Sequence, residues 1–292
     1  MTEPRLNHVQ CLDGRGLHRM AYWEWGDAAN PRVLVCVHGL TRQGRDFDTL
    51  ARALADEYRV VCPDVVGRGR SDWLADPAGY AIPHYVADMV TLLARLDATT
   101  LDWVGTSMGG LIGMSLASLP AAGGSPIRRL VLNDVGPTIE PAALQRIGTY
   151  VEQPVRWASL DEAADYLWSI SEGFGPHTRE QWLALTAPQL KPDAAGGLVP
   201  RYDPAIALPL RGVTAELAAA GEALLWAAYE RIAAPTLLLR GAQSDLLSRA
   251  TAQAMTARGP KATLVEIAGV GHAPTLVQPE QVAIVSDFLL SP

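Results

Sequence analysis

Residues 101–110, LDWVGTSMGG, run an apolar strand pattern straight into a G-x-S-x-G turn, and the helical pattern Leu111–Leu119 follows without a linker. A strand that hands over to a helix so abruptly needs backbones in close approach, which Gly105 and Gly109 permit because they carry no Cβ. The turn lifts the Ser107 hydroxyl into a cleft, the geometry of a nucleophile elbow. It also sets that hydroxyl at a helix N-terminus, where free N–H groups and the helix dipole favour developing negative charge. Five residues alone fit equally well a glycine-rich turn capped by an ordinary serine, so the surrounding chain must decide.

Three further elements stand where acyl transfer needs them. The apolar run Val33–Val37 feeds His38-Gly39-Leu40, a loop whose backbone N–H groups can face Ser107. Pro235–Gly241 reads as a buried strand with Asp245 in the loop after it. Ala262–Ile267 reads as another strand, followed by Gly269-Val270-Gly271-His272. Serine, aspartate and histidine thus occur in that order, each beyond the C-terminal end of a strand, one of several chain orders known for a catalytic triad. Asp134, in Leu132-Asn133-Asp134-Val135, also sits at a strand end and competes with Asp245 for the acid position.

These motifs together resemble the α/β-hydrolase family over nearly the whole chain. Gly105–Gly109 matches its G-x-S-x-G, His38-Gly39 its HG oxyanion motif, residues 63–71 (PDVVGRGRS) its P-D-x-x-G-x-G-x-S turn, and Gly271-His272 its terminal G-H. The resemblance implies a mostly parallel eight-stranded sheet with helices on both faces and an inserted helical cap. Under it Ser107 is the nucleophile and His272 the base. Asp245 is the favoured acid, because residues 241–245 (GAQSD) resemble the usual acid loop, with Asp134 as the alternative. The backbone N–H groups of Met108 and Leu40 would form the oxyanion hole. A serine nucleophile argues against dehalogenase and epoxide hydrolase chemistry, and Gly39-Leu40-Thr41-Arg42 lacks the H-G-G-P-G and H-G-x-G-P-G runs of prolyl aminopeptidases and many carbon–carbon hydrolases. Hydrolysis of a carboxylic ester, lactone or thioester through an acyl-enzyme is the expectation. Cofactor-free perhydrolase or carbon–carbon bond hydrolysis, and a non-catalytic binding protein on the same scaffold, are the alternatives.

Organisation along the chain agrees. An early hairpin (8–13 and 17–25) precedes strands near 33–37, 59–63, 101–106 and 129–133, alternating with helical patterns near 46–57, 82–96 and 108–119. The strand rhythm then stops and returns at Pro235. Residues 1–137 and 233–292 therefore read as the core and 138–232 as a helical cap. Residues 159–162 (SLDE) and 178–181 (TREQ) match the capping box, while Lys191–Pro209 reads as an irregular crossover. Trp157, Trp168, Trp182, Trp226 and Tyr150 fall in this insertion; most would pack helix against helix, and a few, Trp157, Trp168 and Trp182 being the candidates, would line a pocket. His38 and Arg42 are further candidates for substrate contact. Arg42 and Arg45 follow the oxyanion motif and either fork onto a substrate carboxylate, such as that of a hydroxyacid oligomer or an enol-lactone, or are tied to Asp46 and Asp48.

Composition excludes other classes. At 292 residues, 49% hydrophobic and 19% charged, the chain can bury a large core. A formal net charge of −7 without a basic stripe leaves no footprint for nucleic acid. No apolar run approaches the ~20 residues of a membrane span, and Met1–Gln10 does not read as a signal peptide, so a cytoplasmic protein acting on a small acyl substrate is expected. Cys11, Cys36 and Cys62 read as small core residues, and with no C-x-x-C or His/Cys cluster in the sequence neither metal nor cofactor is expected.

Overall fold

Parallel strands are covered on both faces and so read as continuous apolar runs rather than alternating ones. That pattern is met in the computed structural model, which describes residues 3–121, 125–140, 151, 153–211 and 214–291; Tyr150 lies outside them. The antiparallel hairpin β1 (Arg5–Asp13) and β2 (Gly16–Trp25) opens the chain. There follow β3 (Arg32–Val37), α1 (Asp48–Leu54), β4 (Arg59–Pro63), α2 (Ile82–Leu96), β5 (Thr100–Thr106), α3 (Met108–Ala117) and β6 (Arg129–Asn133). After the insertion come β9 (Thr236–Gly241), α7 (Arg249–Ala257), β10 (Thr263–Ile267) and α8 (Pro279–Leu290). The eight-stranded sheet has the order β1-β2-β4-β3-β5-β6-β9-β10, and every pairing from β4 to β10 is parallel.

Two hydrophobic layers sandwich this sheet. Val33, Val35, Trp103, Leu130 and Leu238 face α2 and α3, while Leu34, Cys36, Val104, Val131 and Leu239 face α1 and α8. Alternate residues of one strand thus enter opposite layers, as period-two geometry requires. Local signals bound the helices as well. Pro83 sits in the first turn of α2, and Asp97 closes it in the left-handed conformation (φ 49°) with its N–H on Leu93 O.

The insertion supplies α4 (Leu160–Ser169), α5 (Arg179–Thr186) and α6 (Ala215–Glu230). Ser159 and Thr178 cap α4 and α5 as expected, but the full capping box forms only at Thr178, where Gln181 returns the bond; Glu162 accepts from the Ala158 N–H instead of the Ser159 N–H. The stretch expected to be irregular holds a short ribbon instead, β7 (Leu190–Pro192) paired with β8 (Leu198–Pro200). Its turn residues end one strand and start another. Among the described residues no helix is long and apolar enough to cross a membrane.

The strand order reverses between β3 and β5. From β3 the chain moves to β4 on one side, then crosses back to place β5 on the other. Loops leaving the C-terminal ends of β3 and β5 diverge there and open a crevice, where ligands bind in open α/β sheets. His38-Gly39-Leu40 leaves β3 and Ser107 leaves β5, so both motifs meet at that crevice.

Candidate active site

The elbow at Ser107 is held in a backbone conformation that side chains rarely adopt, φ 52° and ψ −116°. Packing enforces it. A Cβ on Gly105 would stand 2.3 Å from Gly109 O, and one on Gly109 would stand 2.0 Å from Val37 O. The Ser107 N–H donates to Asn133 O (3.0 Å), which fixes the turn to the end of β6. Ser107 Oγ then projects into the crevice as the residue before the first turn of α3.

His272 Nε2 lies 3.0 Å from Ser107 Oγ, and His272 Nδ1 lies 2.7 Å from Asp134 Oδ2. A carboxylate only accepts, so Nδ1 carries the proton and Nε2 is left to accept from the serine hydroxyl. Asp134 is fully buried. Its Oδ1 accepts from the Gly241 N–H (2.8 Å), and its Oδ2 also accepts from Ser244 Oγ (2.6 Å). The expectation of Asp245 as the partner of His272 is therefore corrected: Asp245 is exposed, and Asp134 takes the position. The reason is strand adjacency. β6 and β9 are neighbours, Asn133 pairing with Leu239, so an acid after either strand end can reach the same place. The loop after β9 reaches that place with Ser244, which holds the acid rather than supplying it.

His38 is buried and does not line the crevice beside Ser107, which corrects its expected part in substrate contact. Its Nδ1–H donates to Gly39 O (2.7 Å), and its Nε2 accepts from the Val65 N–H (2.9 Å). Burial pushes its pKa down to about 3, so the ring is neutral, as that bonding demands. In a trans peptide the C=O and N–H point opposite ways. Pinning Gly39 O on the His38 side therefore fixes the direction of the Leu40 N–H. Gly39 itself abuts the nucleophile, a Cβ there standing 3.7 Å from Ser107 Cβ.

Sequence reading missed Arg68, a fully buried guanidinium in the turn after β4. Its Nε donates to Leu40 O (2.8 Å), one Nη to Val66 O (2.7 Å) and Tyr85 Oη (2.9 Å), and the other approaches Met108 Sδ (3.6 Å). It touches both residues that bear the expected oxyanion donors. The G-x-G flanking it was the only sequence signal.

The crevice encloses about 1040 Å³, open mouth included. Ser107, His272 and Leu40 meet Trp157, Leu167 and Phe174 across it. Among the tryptophans offered for the pocket, Trp157 lines it, its ring tilted by 49° against that of Tyr166 at 5.5 Å. Trp168 and Trp182 do not: they pack edge to face on each other (5.0 Å), and Trp182 Nε1 donates to Ala164 O, joining α5 to α4. Arg42 lines the crevice, but its Nε and one Nη are forked onto Asp46 (2.5 and 3.0 Å). Arg45 is likewise forked onto Asp48 (2.6 and 2.7 Å) and stands 5.0 Å over the Trp23 ring.

A strand-elbow-helix serine, a histidine loop after the last strand and a parallel sheet of this order define a hydrolase class, and residues 34–285 match the model of the alpha/beta hydrolase family. The chain belongs to that family, and it is an enzyme of the carboxylic ester hydrolase class. It is 59% identical over 290 residues to a 3-hydroxybutyrate-oligomer hydrolase of Cupriavidus necator, covering 98% of each chain. Similar solved structures include an alpha/beta hydrolase of Novosphingobium aromaticivorans (TM-score 0.85, 36% identity) and a putative hydrolase of Rickettsia typhi (TM-score 0.87, 30% identity), each covering 99% of both chains.

Proposed function

We propose that the chain hydrolyses short hydroxyacid oligoesters of the 3-hydroxybutyrate kind through an acyl-enzyme on Ser107, with His272 as base and Asp134 as its acid partner. The relay Ser107 Oγ, His272 Nε2, His272 Nδ1, Asp134 Oδ2, with steps of 3.0 and 2.7 Å inside the crevice, carries this reading. Ser107 Oγ attacks the ester carbonyl while His272 Nε2 takes its proton. Charge on the carbonyl oxygen is met by the backbone N–H groups of Met108 and Leu40, and losing one such donor typically costs about 2.7–4 kcal/mol of barrier. Collapse expels the alcohol end of the oligomer, which receives the proton from His272. Water then enters by the reverse route and releases the acid end.

Substrate choice falls to residues 138–232, which we read as a cap over the crevice. Trp157, Leu167, Ile170 and Phe174 offer apolar surface to the methyl-bearing chain of such an oligomer. Arg42 and Arg45, already forked onto their aspartates, act in this reading as loop ties rather than as carboxylate receptors. The similarity to the Cupriavidus necator enzyme supports the oligomer as substrate.

The test compares wild type with Ser107→Ala on the 3-hydroxybutyrate dimer and trimer and on p-nitrophenyl butyrate. Monomer release from the oligomers, abolished in a folded alanine variant, is the expected result. Cleavage of the aryl ester without monomer release would overturn the oligomer assignment alone. Near-wild-type activity in Ser107→Ala would overturn the nucleophile.

A further inference from the structure

At the edge of the sheet, far from the elbow in sequence, four side chains of unlike origin converge. Cys11 on β1 and His18 on β2 are direct cross-strand partners, so their side chains leave the hairpin on one face, and both are buried. That face packs on α2, where His84 and Asp88 are separated by one helical turn. His18 Nε2 lies 3.0 Å from Asp88 Oδ2, His84 Nε2 lies 3.7 Å from the same oxygen, and the two imidazoles stand 5.4 Å apart. Ligand atoms of Cys11, His18 and Asp88 all lie within 4.8 Å of one another.

This cluster is unsatisfied as a hydrogen-bonding unit. His18 Nδ1, His84 Nε2 and Asp88 Oδ1 are buried without hydrogen-bond partners among the described residues. Buried polar atoms are normally paired, and three orphans in one cluster call for an explanation.

We propose that Cys11, His18, His84 and Asp88 form a structural site for a divalent cation of the zinc type. The donor set is one thiolate, two imidazoles and one carboxylate, which suits a borderline-soft cation better than magnesium or calcium, whose ligands are oxygens. Tetrahedral zinc with bonds of about 2.0–2.3 Å holds its ligands roughly 3.3–3.8 Å apart, within about an ångström of the spacing of Cys11, His18 and Asp88, and His84 Nε2 stands 3.7 Å from Asp88 Oδ2. Thiolate and carboxylate together carry two negative charges, so the bound cation leaves a neutral core. Binding displaces the Cys11 proton to solvent, and affinity therefore rises with pH. Two ligands from a hairpin and two from one face of a helix clamp the outermost strands of the sheet to α2.

Cobalt(II) serves as the probe, because a cobalt–thiolate bond gives a near-ultraviolet charge-transfer band and a tetrahedral site gives strong visible bands. Chelator-treated protein is titrated with Co²⁺, desalted, and its metal content is measured by mass spectrometry. One equivalent retained per chain, the thiolate band, a higher Tm with Zn²⁺, and loss of the band in Cys11→Ser are expected. Asp88→Asn, which conserves shape, should weaken Co²⁺ binding at least tenfold and covers the case in which Cys11→Ser does not fold. Wild-type protein without a thiolate band overturns the proposal, as does a band that survives in either variant unchanged.

Discussion

Replacing Asp134 with asparagine separates the two candidate acids. Asp134 Oδ1 accepts from the Gly241 N–H, and Oδ2 accepts from both Ser244 Oγ and His272 Nδ1. Ser244 Oγ itself accepts from the N–H groups of Leu246 and Leu247, so its own proton is committed to Asp134. An asparagine must set its NH2 on one side. Facing His272 and Ser244, the amide donates to the imidazole, which then carries its proton on Nε2 and cannot take one from Ser107. Facing Gly241, it leaves two buried donors opposed at about 1–3 kcal/mol and withdraws the negative charge that would stabilise imidazolium. The wrong tautomer of a triad histidine lowers kcat by about 10⁴, equivalent to about 5 kcal/mol of barrier. Asp134→Asn should show a loss of that order in kcat on p-nitrophenyl butyrate, with urea unfolding confirming a native fold. Asp245→Asn, at an exposed position, should stay close to wild type. A folded Asp134→Asn within tenfold of wild type, or a large loss at Asp245 instead, would refute this reasoning.

Two more outcomes follow from the same geometry. The folded-state pKa of His38 is depressed to about 3 from an ordinary 6.5, so below pH 6.5 the unfolded chain binds a proton that the folded chain refuses. Its stabilising contribution is complete above pH 6.5 and fades toward pH 3, by about 1.4 kcal/mol per pH unit. Urea midpoints between pH 7.5 and 4.5 should fall more steeply for wild type than for His38→Gln, and parallel slopes would show that His38 is not buried neutral. For the insertion, Trp157→Ala should rerank esters of increasing acyl length, one methylene being worth about 1–3 kcal/mol. Trp226→Ala should leave the ranking alone, because that ring is stacked under Arg258 (3.7 Å) with its Nε1 on Thr138; equal profiles for the two variants would remove Trp157 from substrate selection.

What was legible in the sequence was whatever a single element determines. Ser107 was readable because one strand, one turn and one helix specify its position, and the hairpin and the capping box at Thr178 were readable because their signals are contiguous. The acid was not, since the choice between Asp134 and Asp245 depends on where the loop after β9 turns relative to the end of β6, and that is set by packing across strands. The aromatic residues of the insertion were visible as buried types, but which of them faces the crevice depends on how α4 and α5 rest on each other. Cys11, His18, His84 and Asp88 are separated by as many as 77 positions, and only hairpin register and helix phase bring them together.

The turn after β4 joins the loop after β3 to the insertion. Gly69 N–H donates to Arg201 O (2.9 Å), Asp203 N–H to Gly67 O (2.8 Å), and Tyr80 Oη to Asp203 Oδ2 (2.6 Å), so the insertion is anchored on this turn from both sides. Arg68, between the two glycines, reaches the other way and donates to Leu40 O. Its charge meets carbonyls, a phenol and a thioether, with Tyr80 and Tyr85 against the guanidinium at 5.5 and 5.1 Å. A planar fork of donors can serve several acceptors at fixed angles, which a flexible ammonium cannot. Leu40 and residues 201–203 of the insertion are therefore hydrogen-bonded to one short segment, Gly67–Gly69. Under the proposed function, the residues that select the substrate and those that meet the oxyanion lie in separate parts of the chain and are joined at this turn.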